Sequence, residues 1–276
     1  VNIERIAILG AGSMGGAILD GLLASGFDPA KVSLSTKSDA SARKYINEYA
    51  IQAHSLENAT DANQRVVAGA DVVLVAVKPA YVASTLAEVA EHLNPNALII
   101  SVAAGITNAT MEAAVPDSVR VIRSMPNTPA IVGRAVTGIA RGNRATEADL
   151  ATAVHLFETV GRVVVVDELQ IDQLSTISGS GPAYVFYFIE QLTAAAMHHG
   201  FTAEQAAMLV NDTFLGAAEL VASSGKAPAE LRRQVTSPNG TTERAIAVFE
   251  AANLQQIFVD ATDAALARAR ELAAGK

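Results

Sequence analysis

Residues 5–15 read Arg5-Ile6-Ala7-Ile8-Leu9-Gly10-Ala11-Gly12-Ser13-Met14-Gly15, a short β-branched run that ends in glycines. Ile18, Leu22 and Leu23 follow at helical spacing up to Gly26. The pattern predicts strand, tight turn, helix. Gly10 to Gly15 match G-x-G-x-x-G at the place where that spacing has a physical purpose. Gly10 permits the turn, Gly12 lets a pyrophosphate approach the backbone, and Gly15 lets helix and strand pack closely. The start of the helix adds N–H groups and a partial positive charge for phosphates. A dinucleotide-binding unit is expected, against the plainer reading of a structural glycine turn.

Outward from this unit the alternation continues. Strand-like runs at 32–35, 71–77, 97–105 and 119–125 are separated by helical segments, and 135–140 and 162–166 form a further pair with a helix between them. Strands alternating with helices imply a parallel sheet covered on both faces. After Asp167 such runs disappear, and Ala/Leu-rich segments at 182–199, 202–224 and 254–274 take over. The 276 residues exceed one ordinary domain, so two are expected, 1–167 and 168–276, the second all-helical. Its helices carry apolar residues on more than one side, more than a small monomeric bundle can cover, so this half is expected to dimerise.

Composition narrows the function. Half the residues are hydrophobic and 17% charged, which excludes a disordered chain. A net charge of −8 with no basic run argues against a nucleic-acid surface. With no cysteine there is no disulfide, thiolate metal site or cysteine nucleophile, a composition compatible with a reducing cytosol. No apolar stretch approaches the roughly 18 residues that cross a bilayer, and the N-terminal glycine-rich run is read as part of the fold rather than as a signal peptide. The five histidines form no metal set, and no metal is expected.

Other segments carry chemistry. At the end of the second strand, where an acid would accept the ribose hydroxyls of NAD, stand Ser35, Thr36 and Lys37. Hydroxyls and an ammonium favour a 2′-phosphate, hence NADPH, with NADH weaker. Ala76-Val77-Lys78-Pro79 ends a central strand, and Arg123-Ser124-Met125-Pro126-Asn127-Thr128-Pro129 ends another with two prolines around an amide and a hydroxyl. Ser178-Gly179-Ser180-Gly181-Pro182-Ala183-Tyr184 is a small-residue turn at a helix start. Val235-Thr236-Ser237-Pro238-Asn239-Gly240-Thr241-Thr242-Glu243 opens another helix, leaving N–H groups beside hydroxyls in a cradle suited to a carboxylate. Simple capping or a Pro-rich turn is the plainer reading of each.

Taken in order, GAGSMG, AVKP, SVAAG, MPNTP, SGSGPAY and VTSPNGTT resemble the pyrroline-5-carboxylate reductases over nearly the whole chain. The resemblance implies an α/β protein, a Rossmann-type sheet domain followed by an all-helical dimerisation domain. It also implies an NADPH-dependent oxidoreductase of proline biosynthesis that reduces the cyclic imine 1-pyrroline-5-carboxylate to L-proline. A cytoplasmic homodimer with shared active sites, often assembled to a decamer, goes with it. Residue by residue it assigns Gly10, Gly12, Ser13, Met14 and Gly15 to the pyrophosphate, Ser35, Thr36 and Lys37 to the 2′-phosphate, and Asn63 to a ribose. Ala76, Val77, Lys78, Pro79, Ala103, Ala104 and Gly105 become the dinucleotide floor, with Asn127 near the nicotinamide and Gln234 touching the cofactor. Gly240, Thr241 and Thr242 hold the substrate carboxylate, the Thr242 hydroxyl reaches the ring nitrogen as the catalytic group, and Glu168 lies near the substrate.

Asn239 replaces the commoner glycine of that loop. Asparagine tolerates the left-handed conformation best among non-glycine residues, so the loop geometry is expected to survive. The alternatives are a related NADPH-dependent imine or β-hydroxyacid reductase and a cofactor-binding regulator without turnover. Hydroxyacid relatives use an interdomain-helix lysine, and SGSGPAYVFYFIEQL contains none.

Overall fold

The computed structural model describes residues 3–273, with the side chains of the last two left out. Along the chain run β1 (Ile6–Leu9), α1 (Ser13–Ala24), β2 (Val32–Thr36), α2 (Asp39–Tyr49), β3 (Gln52–Ser55), α3 (Ala62–Val67), β4 (Val72–Val75) and α4 (Val82–Val89). Then come β5 (Leu98–Ser101), α5 (Asn108–Glu112), β6 (Arg120–Met125), β7 (Ala135–Arg141), α6 (Glu147–Glu158), β8 (Gly161–Val165) and α7 (Glu168–Leu174). The strands form one sheet in the order β3-β2-β1-β4-β5-β6-β7-β8. The order reverses between β1 and β4, and in open α/β sheets ligands bind at the carboxyl edge over such a switch.

Every residue of β1, β4 and β5 is buried, because helices cover both faces and strands in that position must be apolar throughout. On one face Ile18, Leu19 and Leu22 of α1 pack with Leu156 and Phe157 of α6. On the other, Val66, Leu86, Val89 and Met111 come from α3, α4 and α5. Gly21 is the point where α1 meets the chain between α6 and β8: a Cβ there would lie 2.8 Å from the Thr159 carbonyl oxygen and collide with Val160. Gly21→Ala gains up to about 1 kcal/mol of helix propensity, but overpacking costs roughly 1–3 kcal/mol. The clash wins, and urea unfolding of this variant shows a lowered midpoint.

Two elements depart from the sequence reading. β3, Gln-Ala-His-Ser, was not foreseen: it is an edge strand, exposed or half-buried at its first three positions, and so lacks an apolar run. β7 pairs antiparallel with β6, whereas the alternation implied a parallel sheet. The short 126–134 connection cannot hold the crossover of a dozen or more residues that a parallel pair requires. β8 then returns parallel to β7 after α6.

A π-turn at Ser175–Gly179 follows α7 and leads into α8 (Gly181–His198). α9 (Ala203–Ser224), α10 (Pro228–Gln234), α11 (Thr241–Ala251) and α12 (Leu254–Ala273) complete the chain. The chain resolves into two compact units, one reaching Ser180 and including the end of α12 from Leu266, the other running from Gly181 to Ala265. In the second, α9 packs on α8 and buries Ala206 and Val210, while Phe186, Tyr187, Leu215, Val248 and Phe249 are each more than half exposed. Apolar surface on this scale marks an interaction face, as the sequence reading expected. No helix among the described residues is long and apolar enough to cross a membrane.

Candidate functional site

Gly10, with φ +80°, turns the chain out of β1. A Cβ on it would stand 2.7 Å from Val77 Cγ1, and one on Gly15 would stand 3.1 Å from the Ala76 Cβ. The glycine loop and the loop after β4 are therefore in contact across the switch point: a side chain at Gly10 is strained and clashes, and one at Gly15 fits only if Ala76 yields by a few tenths of an ångström. Gly12 differs. With φ −88° it is sterically ordinary, it caps α1 without a side-chain hydrogen bond, and a Cβ there would meet nothing closer than Gly10 O at 4.0 Å. The space a side chain would fill is left open beside the N–H groups of Ser13 and Met14, and the first turn of α1 holds no acid. That is the geometry of a phosphate cradle.

Ser35 supports this loop from β2. Its carbonyl accepts N–H bonds from Gly10 and Ala11 at 3.2 and 3.0 Å, and its Oγ accepts from Gly10 N at 3.3 Å. Thr36 is also buried and donates its hydroxyl to Ser38 O, whereas Lys37 is exposed. Asp39, the nearby acid, accepts from Arg43 Nε and from Asn58 Nδ2 at 2.6 Å each. Its backbone N–H donates to Glu57 at 2.7 Å. Asn63, buried on α3, reaches Glu88 through Nδ2 at 3.3–3.4 Å, and its Oδ1 is buried without a protein partner.

Along the same edge Lys78 and Pro79 are exposed after β4, while Ala103 is buried and Ala104 exposed after β5. Gly105, with φ +74°, ends the second of these loops. Asn127 follows β6. Its Nδ2 donates to Ser178 O and its Oδ1 accepts from Val136 N, both at 2.9 Å. Both ends of the amide thus tie the MPNTP segment to the π-turn and to β7. Glu168, at the start of α7, accepts the N–H of Asn108 at 2.6 Å, which places its carboxylate at the start of α5, just beyond the Ala103–Gly105 loop. It also lines a cavity of about 530 Å³ with Asp167, Gln170 and the Arg141–Glu147 pair.

Sequence reasoning did not single out α2. Tyr45 donates its hydroxyl to Ala11 O at 3.2 Å, and with Lys44, Ser41 and Asp20 it walls a cavity of about 380 Å³ that opens onto Gly12 and Ser13. Burial, and then the charges of Asp20 and Glu48, push the Tyr45 phenol pKa up, so it remains a donor that steadies the glycine loop. Spacing held the signal: Tyr45 and Tyr49 fall one helical turn apart, facing α1.

In the second unit, Ser237-Pro238-Asn239-Gly240 is a turn closed by Gly240 N donating to Ser237 O at 3.0 Å. Proline stands second and Asn239, with φ +60°, third, the pattern of a type II turn. Asparagine holds the left-handed position as expected, fixed by its N–H donating to Glu243 at 2.8 Å. Gly240 then caps α11, again with no side-chain hydrogen bond. A Cβ on Gly240 would approach Ser237 O to 2.9 Å. Thr241 and Thr242 occupy the first two helical positions with their N–H groups free of intrahelical partners. Gln234, at the end of α10, donates to Glu230 at 3.3 Å. Among the described residues no cluster of His, Cys, Asp or Glu could hold a metal.

Comparison with known proteins places these features. Residues 168–272 match the model of pyrroline-5-carboxylate reductase dimerisation, and residues 5–105 match that of NADP oxidoreductase, coenzyme F420-dependent. The pyrroline-5-carboxylate reductase of Pseudomonas aeruginosa is 39% identical over 99% of this chain and 98% of its own. That of Escherichia coli is 33% identical, with 98% of each covered. A solved pyrroline-5-carboxylate reductase from Coxiella burnetii superposes with a TM-score of 0.91 at 35% identity, covering 98% of this chain and 99% of its own. The Plasmodium falciparum enzyme, solved with NADP bound, gives 0.83 at 25% identity, covering 99% and 98%.

Proposed function

The chain belongs to the pyrroline-5-carboxylate reductase family, and from that membership we propose how its residues divide the work. It is an NAD(P)-dependent oxidoreductase that reduces 1-pyrroline-5-carboxylate to proline. Residues 1–167 hold the dinucleotide, which when bound supplies the hydride for the imine carbon. The observation that carries the reading is the open cradle at Gly12, at the start of α1, where no side chain caps the helix. Gly10 to Gly15 close on the pyrophosphate, Asn63 with its free Oδ1 takes a ribose hydroxyl, and Ala76–Pro79 and Ala103–Gly105 form the floor. Residues 168–276 dimerise and bind substrate. The N–H groups around Gly240, Thr241 and Thr242 hold the carboxylate, and the Thr242 hydroxyl orients or protonates the ring nitrogen. Each active site is completed by the partner subunit, with Gln234 and Glu168 nearby, in a cytoplasmic dimer able to assemble further into a decamer. Positioning supplies much of the rate, because a protonated imine is already electrophilic and needs no covalent nucleophile.

NADPH is the preferred reductant. Lys37 is exposed at the end of β2, and Asp39, the acid that could take ribose hydroxyls, is engaged by Arg43 and Asn58. Steady-state oxidation at 340 nm with pyrroline-5-carboxylate tests this, comparing NADPH with NADH. In Lys37→Ala the KM for NADPH rises about tenfold, the low end for a hydrogen bond to a charged group, while that for NADH is unchanged. Equal loss with both dinucleotides removes Lys37 from the 2′-phosphate.

A further inference from the structure

Arg123 is 3% exposed and lies on the rung of the sheet where β5 ends, its Cα opposite Ser101 on one side and Ala140 on the other. Its Nη2 is hydrogen-bonded to Asp172 Oδ1, and its Nη1 lies 3.8 Å from Glu168 Oε1. The same Glu168 oxygen accepts the Asn108 N–H at 2.6 Å, and Asn108 Nδ2 donates to Ala140 O at 3.3 Å. Four segments meet at this one guanidinium: the exit of the Ala103–Gly105 loop into α5, β6, β7 and α7. Two residues along β6, Met125 Cε would come within 3.2 Å of a Cβ on Gly179 in the π-turn. Asn127 clamps that turn through Ser178.

As a source of stability the cluster is poor. Two carboxylates face one cation, and both Arg123 Nε and Asn108 Oδ1 are buried without a partner. Desolvation offsets most of the Coulombic gain of buried ion pairs. What a guanidinium fork does well is fix direction, since its donors are rigid and planar.

We propose that Arg123 and Asp172 are positioning residues for the reduction. They hold the Glu168 carboxylate on the start of α5, and so set the Ala103–Gly105 floor against the 175–179 turn. The proposal rests on the placement of the reaction at this sheet edge. Removing the cation in Arg123→Met leaves two facing carboxylates, so that one keeps its proton or swings away. The other charged groups at this place are Asp167 and the Arg141–Glu147 pair, which line the cavity beside Glu168.

The test measures kcat, KM for pyrroline-5-carboxylate, NADPH Kd by fluorescence titration and thermal unfolding for Arg123→Met, Asp172→Asn and their combination. Arg123→Met is expected to lose kcat roughly a hundredfold, the scale of a misplacement near 1 Å. NADPH Kd stays within about twofold, because the pyrophosphate cradle is untouched. Its kcat/KM profile acquires an ionisation on the acid limb that wild type and the double variant lack. Wild-type kcat, KM and pH profile in Arg123→Met, whatever its melting temperature, overturn the proposal. If that variant does not fold, Asp172→Asn decides: a loss of about tenfold in kcat at unchanged NADPH Kd supports the role, and wild-type kcat ends it. The site itself is tested apart from this, since NADPH affinity retained in Gly12→Val removes the sheet-edge site whatever Arg123 shows.

Discussion

Thr242→Ala loses roughly 10²–10³ in kcat, about 2–4 kcal/mol of transition-state stabilisation, the amount carried by a donor aimed at developing charge. Thr242 is the second residue of α11, half-buried, and its hydroxyl makes no bond to the protein among the described residues. The backbone N–H groups proposed to take the carboxylate are unchanged by the substitution, so KM for the imine moves little. A fall in kcat and in kcat/KM by the same factor identifies an interaction made in the transition state. Thr242→Ser restores most of the rate. Stopped-flow hydride transfer separates this from slow product release, and an alanine variant with wild-type rates removes Thr242 from the chemistry.

Gly12→Val abolishes dinucleotide binding while leaving the protein folded. The two outcomes follow from one geometry: the Cβ direction points into open space, and φ −88° suits any residue. Folding therefore loses at most about 1 kcal/mol, the difference between glycine and an aliphatic residue at an N-cap. Binding loses two charge-assisted bonds to phosphate at roughly 1.5–3 kcal/mol each, a hundredfold or more in NADPH Kd. Gly10 provides the contrast. There φ is +80° and the Cβ direction is filled by Val77, so any side chain disturbs the fold before binding can be measured. Isothermal titration together with circular dichroism distinguishes the two glycines.

What could be read from the sequence divides by range. The Gly10–Gly15 loop was legible because all its requirements lie within one turn, and Asn239 because the resemblance puts it where glycine is commoner and asparagine best tolerates the left-handed conformation. β3 was not, since a polar edge strand has no periodicity of its own. Asn127 carried an amide that only the family resemblance put near the nicotinamide, and the structure adds that both its ends are engaged, by Ser178 and Val136. The partners of Arg123 are 45 and 49 positions away in the chain, Glu168 and Asp172, and no local pattern links a strand arginine to acids on a helix four elements later. Local chemistry was visible, whereas the bracing between segments required the topology.

The sparse interior of the helical unit has a thermodynamic consequence. Between Gly181 and Ala265 only Ala206 and Val210, among the described residues, fall in the buried class, too little apolar burial to offset the entropy of ordering these helices. Their free energy of folding is thus shared with whatever covers the face left by Phe186, Tyr187 and Phe249. If a second copy supplies that cover, as proposed above, mass action makes the unit more stable the more of its own kind surrounds it. The enzyme's abundance then enters its stability as directly as its sequence does, and dilution acts on it as a mild denaturant.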